Sequence, residues 1–142
     1  MKISTRGKYA LEAILDLALI TKDTKLDAIK NIAERRNISK SYLEQIFVVL
    51  KKKDILISVR GNNGGFMLAK SASKTTVGEI LRAVEGNLAP VFCVDESQDN
   101  ECSRNKQCPT RSIWKRIMNE INATTDSISI QDLLDSVTTN ND

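Results

Sequence analysis

The residues of this chain best suited to metal or redox chemistry are its three cysteines, Cys93, Cys102 and Cys108. Their spacing, C-x8-C-x5-C, differs from the paired CxxC of a zinc ribbon, and an odd number of cysteines argues against a structural disulfide framework. Thiolates favour iron–sulfur clusters, zinc and copper(I), so three thiols in one acidic segment indicate a candidate metal site. The alternative is three unrelated exposed thiols. A metal would also need a fourth ligand, from a carboxylate of the segment or from a partner subunit.

The sequence contains no histidine, which excludes Ser-His and Cys-His nucleophile pairs and HExxH zinc sites. No phosphate-loop motif is present either, so an enzyme is the least favoured class of protein. The length of 142 residues corresponds to about one domain, and 41% apolar residues suffice for a core. No apolar run reaches the roughly 20 residues of a membrane span, and the N-terminus lacks the apolar region of a signal peptide. We therefore expect a cytoplasmic protein that is not an enzyme.

Charge is distributed unevenly along the chain. Residues 1–75 carry 15 lysines and arginines against 7 aspartates and glutamates, whereas residues 76–142 carry 6 against 11. The net charge is therefore +8 in the first part and −5 in the second, within a total of +3. A basic half predicts a polyanionic partner, of which nucleic acid is the commonest, although an uneven solvated surface would give the same numbers.

Apolar periodicity predicts three helices in the basic half. The first, over residues 5–20, is so apolar that we expect it to be buried on two sides. Asp27 is placed to cap a short second helix over residues 28–36. A tight turn at residues 37–39 leads to an amphipathic third helix over residues 40–53. Two short helices joined by such a turn indicate a helix-turn-helix.

Two β-rich runs, residues 55–60 and 66–70, flank the glycine-rich segment 61–65 and predict a β-hairpin. A helix-turn-helix followed at once by a basic hairpin is the pattern of a winged helix. The predicted fold class is therefore mainly α: a winged helix-turn-helix with a two-stranded β wing, followed by a long C-terminal helix.

The acidic half is organised around the cysteines. A helix is predicted over residues 76–85, after which periodicity is lost. A long helix over residues 110–123 follows, with Pro109 at its first position and Cys108 near its N-cap. A short helix is predicted over residues 130–137. These boundaries divide the chain into a winged-helix DNA-binding domain (1–86), a cysteine-containing sensor segment (87–108), a helical C-terminal region (109–137) and a flexible tail (138–142).

The second helix of a helix-turn-helix enters the major groove with its N-terminal residues nearest the base edges. Ser41 and Gln45 can hydrogen-bond bases there, glutamine being suited to adenine, and Lys40 can contact phosphates.

Three neighbouring residues admit two interpretations. Ser39 and Tyr42 belong to the same DNA-facing segment, but Ser39 can also be an N-cap and Tyr42 part of the core. Glu44 can accept a hydrogen bond from cytosine, or it can form a capping box with Ser41.

Arg60 precedes the glycine-rich turn that begins at Gly61. A thin glycine turn fits the narrow minor groove, whose negative potential attracts arginine, although an ordinary hairpin would also expose Arg60. Lys2, Arg6 and Lys8 lie at the start of the first helix, where the helix dipole disfavours cations unless phosphate oxygens are bound there too. Exposed charges of little cost are the alternative. The candidate DNA-binding residues are therefore Lys2, Arg6, Lys8, Ser39, Lys40, Ser41, Tyr42, Glu44, Gln45, Arg60 and Gly61.

Five stretches of the sequence carry a family resemblance: STRGKYALEAILDLA (4–18), SKSYLEQIFVVLKK (39–52), ISVRGNNGGFMLAK (57–70), TVGEILRAVEG (76–86) and CPTRSIW (108–114). Through them the chain resembles the Rrf-two family of bacterial winged-helix transcriptional regulators and, within it, the IscR-like iron–sulfur members. The resemblance spans essentially the whole chain, and the combination of SYLEQ with VRG-x-x-GG is specific.

The resemblance implies a homodimer in which the long C-terminal helix pairs across the twofold axis and which binds a partly palindromic DNA operator. It also implies an iron–sulfur cluster, [2Fe–2S] or [4Fe–4S], on Cys93, Cys102 and Cys108, whose occupancy or oxidation state tunes DNA binding. Among the DNA-binding residues, it implies that Glu44 affects target discrimination and that Arg60 contacts the minor groove.

The fourth cluster ligand departs from the family pattern. Members that use histidine carry it three residues after the last cysteine, where this chain has Arg111. Members with a nitric-oxide-sensing cluster take a carboxylate from the first helix of the other subunit, where this chain has Lys8. Glu12 lies one turn further along that helix, so Glu12 of the partner subunit is the candidate fourth ligand.

Two further hypotheses remain open. In the first, the protein is a cluster-free regulator whose cysteines form reversible disulfides under oxidative stress. In the second, it is an interaction module that binds a partner enzyme through the dimer surface centred on Trp114.

Overall fold

The computed structural model describes residues 2–21, 26–96 and 107–140. None of the helices in these ranges is long and apolar enough to cross a bilayer. The fold is mainly helical with one antiparallel strand pair, as predicted. In chain order, the elements are α1 (Thr5–Ile20), α2 (Ile29–Arg36), α3 (Lys40–Lys52), β1 (Leu56–Val59), β2 (Gly65–Leu68), α4 (Val77–Glu85), α5 (Arg111–Ser127) and α6 (Ile130–Asn140), with short 3-10 turns at Ala72–Lys74 and Phe92–Val94.

Helix α1 lies at the centre of the molecule. Its residues Ala10, Ile14 and Leu17 are fully buried, and it contacts α2, α3, α4, α6 and β2. The hydroxyl oxygen of Ser4 caps the helix by accepting a hydrogen bond from the Gly7 amide. The expected burial of α1 on more than one side is confirmed.

The turn between α2 and α3 has the geometry that the helix-turn-helix prediction requires. Helix α2 ends at Asn37, which adopts the left-handed region with φ of 52°, and the Ile38 amide donates to the Ala33 carbonyl over 3.0 Å. Ser39 then caps α3, because its hydroxyl oxygen accepts a hydrogen bond from the Tyr42 amide at 3.5 Å. Three residues are therefore enough to end one helix and begin the next.

We call β1, β2 and the connecting residues 60–64 the wing. The strands pair antiparallel in a register that sets Val59 opposite Gly65. The connection is closed by a hydrogen bond from the Gly64 amide to the Gly61 carbonyl at 3.0 Å. A Cβ atom on Gly64 would lie 2.0 Å from the Val59 carbonyl oxygen, so this turn requires glycine.

An aromatic pair holds the wing on the helices. Phe47 of α3 and Phe66 of β2 pack edge to face with ring centroids 5.0 Å apart. Ile55 and Leu56, where the hairpin begins, are buried in the same core. The root of the wing is therefore fixed to α3, while its tip at residues 60–63 is exposed.

After α5 the chain returns to the core. The Val77 amide donates to the Ile128 carbonyl, and the Ile130 amide donates to the Thr75 carbonyl, both over 2.9 Å. Ile130 lies fully buried in the hydrophobic cluster that α1 also occupies. Helix α6 thus completes the core that the first four helices begin.

The prediction that Asp27 caps α2 is wrong. The N-cap is Ala28, without a side-chain hydrogen bond, and the Asp27 carboxylate is instead buried against Asn31 and Arg35. A guanidinium is a stronger hydrogen-bond donor to a carboxylate than a backbone amide, which explains the different partner.

The start of α5 also differs from the prediction. Its N-cap is Thr110, so Pro109 precedes the helix and Cys108 is not an N-cap residue. The reason is a separate turn before the helix, in which the Arg111 amide donates to the Cys108 carbonyl at 3.3 Å.

Both C-terminal helices extend further than predicted. Helix α5 continues through residues 124–127, where the Thr125 hydroxyl donates to a carbonyl one turn earlier at 2.8 Å. Helix α6 continues beyond residue 137, and the Thr138 hydroxyl donates to the Leu134 carbonyl at 3.2 Å. Hydroxyl groups bonded in this way satisfy themselves within the helix, so the polar sequence does not end it. Residues 138 and 139 are accordingly helical rather than part of a flexible tail, and residues 141–142 lie outside the described ranges.

Candidate nucleic-acid interface and cysteine segment

Helix α3 has two unlike faces, and we call it the recognition helix. One face is buried and consists of Leu43, Ile46, Phe47 and Leu50. The other face is exposed at the N-terminal half of the helix, where it presents Ser39, Lys40, Ser41, Glu44 and Gln45. Because the apolar stripe fixes the helix on the core, the polar side chains are held outward at the end that a helix-turn-helix inserts into the major groove.

Two of the ambiguous residues of this helix have defined neighbours. Tyr42 is half-buried and packs edge to face on Tyr9 of α1 with ring centroids 6.0 Å apart, which supports a core role for its ring. The Glu44 carboxylate lies 3.7 Å from the Lys40 ammonium. The capping box between Glu44 and Ser41 is not formed, because the N-cap is Ser39 and the helix starts two residues too early for it.

The wing exposes the residues predicted for the minor groove. Arg60 follows β1 directly, and both Arg60 and Gly61 are exposed at the tip. Gly61 has a φ of 119°, a conformation that other residues rarely adopt, so the tip stays narrow beside the arginine.

The start of α1 is occupied differently from what the charge pattern suggests. Lys2 and Lys8 are exposed and Arg6 is half-buried. The Ser4 amide donates to the Glu85 carboxylate at 3.2 Å, and the Ser4 hydroxyl donates to the same oxygen. A carboxylate of the chain itself therefore lies at the positive end of the helix, where the sequence suggests a phosphate.

A buried ion cluster between α1 and α2 escaped the sequence analysis. Asp16 is 6% exposed and accepts hydrogen bonds from Arg35 at 2.6 and 2.9 Å and from Arg36 at 3.2 Å. Arg35 also donates to Asp27, which is equally buried. The hydrogen bond to Asp16 raises the pKa of Arg35 above its ordinary value; burial opposes this shift and Asp27 adds to it. The only sequence signal is Asp16 itself, an acid within an apolar helix that needs a cationic partner.

A second polar network runs from the root of the wing to α5. Lys70, which follows β2, donates to Glu79 at 2.7 Å, and Glu79 forms a capping box with Thr76. Burial raises the pKa of Glu79, but the hydrogen bonds from Lys70 and the Thr76 amide outweigh it, so the pKa lies below its ordinary value. One turn later, Arg82 donates to Asp126 of α5. The T-x-x-E pattern at residues 76–79 was a signal for this cap.

The structure places two of the three cysteines. Cys93 lies in the 3-10 turn that packs on α5, Cys108 precedes α5, and both side chains are half-buried. The Cys108 sulfur lies 3.2 Å from the Thr110 hydroxyl. Cys102 falls outside the described residues, within which no group of three metal-ligating side chains is found.

Cysteine sulfur is a ligand that iron–sulfur clusters take, and the two described cysteines are partly enclosed. Arg111, at the position of the family histidine, is half-buried, and its Nε atom is enclosed without a hydrogen-bond partner among the described residues. Glu12 is half-buried on α1.

Helix α5 has an apolar face that the described part of the chain leaves partly uncovered. Met118 is buried, whereas Ile113 is 53% exposed. A groove of about 510 Å³ runs along this face and is lined by Ile113, Arg116, Ile117, Glu120, Ile121, Thr124 and Thr125. Exposed apolar surface of this kind marks a protein interface.

The helix-turn-helix, the wing packed on its recognition helix and the basic exposed residues together define a winged helix-turn-helix protein of the transcription-regulator class. The chain belongs to the Rrf2 (Rrf-two) family, described as iron-dependent transcriptional regulators, which it matches over residues 3–136. The family resemblance predicted from the sequence is thereby confirmed.

The relatives similar to this chain include proteins named IscR and a protein named CymR. The chain is 35% identical over 137 residues to the transcriptional regulator IscR of Photorhabdus laumondii, covering 96% of this chain and 80% of the relative. The solved structure of T. potens IscR superposes with a TM-score of 0.76 at 34% identity, covering 96% of this chain and 88% of that one. CymR, the global cysteine regulator of B. subtilis, superposes with a TM-score of 0.73 at 32% identity, covering 94% and 95%.

Proposed function

We propose that the chain acts as a homodimer that binds a partly palindromic DNA operator. Each subunit inserts the start of the recognition helix into a major groove and the wing tip into the adjoining minor groove. The observation that carries this proposal is the polar, exposed N-terminal half of α3 above a fully buried apolar stripe. Half-sites are expected about one helical turn apart, roughly 34–36 Å, or a multiple of that distance.

The exposed side chains divide into two roles. Ser41 and Gln45 hydrogen-bond base edges, and Lys40 contacts phosphate. Glu44 selects targets, because its carboxylate accepts a hydrogen bond from cytosine and repels base edges that present acceptors. Arg60 enters the minor groove, where the electrostatic potential is most negative.

The uncovered face of α5 is the proposed dimer contact. Ile113, Ile117 and Ile121 lie four residues apart, which places them on one face of α5, as in a helix that pairs with another helix. Arg116 and Glu120 flank this stripe with opposite charges, so an antiparallel copy of α5 would find complementary partners.

The cysteine segment is the proposed sensor. Cys93, Cys102 and Cys108 would hold an iron–sulfur cluster, with Glu12 of the partner subunit as the candidate fourth ligand. Such a cluster supplies a change of charge on oxidation or loss. Because the turn carrying Cys93 packs on α5 and Cys108 lies three residues before that helix begins, a change at the thiols would act on α5.

A thiol-redox regulator without metal is the second candidate. It is favoured by the two half-buried cysteines and by the similarity to CymR, the global cysteine regulator of B. subtilis. In this case two of the three thiols of Cys93, Cys102 and Cys108 would give up two electrons and two protons to a peroxide and form a reversible disulfide.

Anaerobic purification separates the two sensors. Bound iron and sulfide with charge-transfer absorption support the cluster, and a colourless protein whose thiol count changes on oxidation supports disulfide chemistry. DNA binding is tested by selection from a random duplex library followed by a salt titration. Affinity that falls steeply with salt supports phosphate contacts, whereas salt-independent binding to a partner enzyme would support the interaction-module hypothesis.

A further inference from the structure

The root of the wing is attached to a short segment before α2. The Asp27 amide donates to the Phe66 carbonyl at 3.1 Å, and the Phe66 amide donates to the Asp27 carbonyl at 2.7 Å. A Cβ atom on Gly65 would lie 2.4 Å from the Asp27 carbonyl oxygen, so the two backbones are too close for any residue but glycine at position 65. Asp27 therefore acts as a third, one-residue strand beside β2.

The side chain of Asp27 leads away from the wing and into the helix-turn-helix. Its carboxylate accepts hydrogen bonds from Asn31 at 2.9 Å and from Arg35, both on α2. Arg35 uses its remaining donors on Asp16 of α1. Backbone and side chain of one residue thus join β2 to the helix that precedes the recognition helix.

The two carboxylates of this cluster are buried. The side chains of Asp16 and Asp27 are 8% and 7% exposed, whereas that of Arg35 is 33% exposed, and a buried carboxylate that loses its cation is strongly disfavoured. The forked guanidinium of Arg35 satisfies both carboxylates at once, a geometry that a lysine does not reproduce. A shift of the wing against α2 would have to break either the backbone pair between Asp27 and Phe66 or a contact of the Asp27 carboxylate.

We propose that the Asp16–Arg35–Asp27 cluster is the positioning element that sets where the wing lies relative to the recognition helix. Major-groove and minor-groove contacts must be made on the same duplex, so this position determines whether Arg60 and Gln45 bind together. The inference rests on the proposed function and adds specificity-determining residues that do not touch DNA themselves.

Asp27→Asn is the informative substitution. It keeps the shape of the side chain but places an amide group among donors, which breaks one of the two contacts with α2. It also makes the protein more positive by one charge, which on electrostatic grounds alone strengthens DNA binding. Positioning and net charge therefore predict opposite results. Glu34→Gln is the matched control, because Glu34 is exposed on α2, the helix that the Asp27 carboxylate contacts, and its substitution changes the net charge equally.

The test is a double-mutant cycle with Arg60→Ala on the full chain. The probe is a fluorescein-labelled duplex carrying the sequence that the unmodified protein selects from a random library. We expect Asp27→Asn to weaken binding by about five-fold or more, and to weaken it less than about two-fold when Arg60 is already alanine. Glu34→Gln should bind at least as tightly as the unmodified protein.

Each other outcome decides against a defined step. An equal loss in both backgrounds, or an affinity of Asp27→Asn that matches Glu34→Gln, overturns the positioning role. An unchanged affinity of Arg60→Ala alone refutes the minor-groove contact of the proposed function itself. If Asp27→Asn melts below the assay temperature, Arg35→Lys takes its place in the same cycle, since it retains the charge but loses the fork.

Discussion

Lys40 and Gln45 lie on the same exposed face of the recognition helix, but the proposed function gives them different partners. Lys40 is assigned to phosphate and Gln45 to a base edge, so alanine at each position should have a distinguishable effect. The ion pair between Lys40 and Glu44 does not interfere with this comparison. Its side chains are 57% and 52% exposed, and such a pair contributes only about 0.3–0.5 kcal/mol, so Lys40 turns to phosphate at little cost.

The expected magnitudes follow from the two kinds of contact. Gln45→Ala should cost about 1–3 kcal/mol on the selected operator, which is roughly a 5- to 150-fold loss of affinity, with an unchanged salt slope. Lys40→Ala should weaken binding to every duplex alike and reduce the slope of log affinity against log salt by about one. The assay is fluorescence anisotropy at several salt concentrations, on the operator and on a scrambled duplex of equal length.

The control for charge is Lys74→Ala. Lys74 is exposed in the 3-10 turn after β2, outside the recognition helix, so its loss should leave both affinity and slope nearly unchanged. The reasoning would be refuted if Gln45→Ala weakened binding to the operator and the scrambled duplex equally, because the contact would then carry no base information.

Three further predictions follow from the described contacts. The pKa of Glu79 lies below its ordinary value in the folded protein. Its contacts with Lys70 and the Thr76 amide therefore stabilise the fold fully above the ordinary pKa, and this stabilisation is lost as the pH falls through the lowered pKa. Glu79→Gln should flatten the acid limb of a plot of melting temperature against pH. Gly64→Ala should cost about 1–3 kcal/mol of stability, because its Cβ would lie 2.0 Å from a backbone oxygen, whereas Asn63→Ala at the exposed tip should be nearly neutral in chemical denaturation. Ile117→Glu should convert the dimer to a monomer in sedimentation with little change in helix content, and an unchanged dimer would exclude the α5 groove as the interface.

Short-range patterns made much of this molecule predictable. The start and end of α1, the α2–α3 turn and the strand pair depend on periodicity and on glycine and cap residues close in sequence, and each was found within one or two residues. Of the two interpretations of Ser39, the N-cap role is confirmed for the same reason.

Partners distant in sequence were not predictable. In the local sequence Asp27 resembles a helix cap. Only the fold shows that its carboxylate binds Arg35 and that its backbone pairs with Phe66. The hydrogen bond from the Ser4 amide, at the start of α1, to the Glu85 carboxylate of α4 joins residues 81 positions apart, and no local pattern encodes it. Asp126 of α5 likewise accepts a hydrogen bond from Arg82 of α4, a partner 44 positions away.

The two backbone hydrogen bonds that join residues 75–77 to residues 128–130 have a consequence for any attempt to isolate the DNA-binding part of the chain. Ile130 and Leu134 of α6 are buried in the same core as the apolar residues of α1. A fragment that stops after α4 would therefore expose part of that core to water. Such a truncated fragment is expected to aggregate or melt early. A minimal unit for crystallisation with DNA must therefore keep α6, even though it lies beyond α5 in sequence.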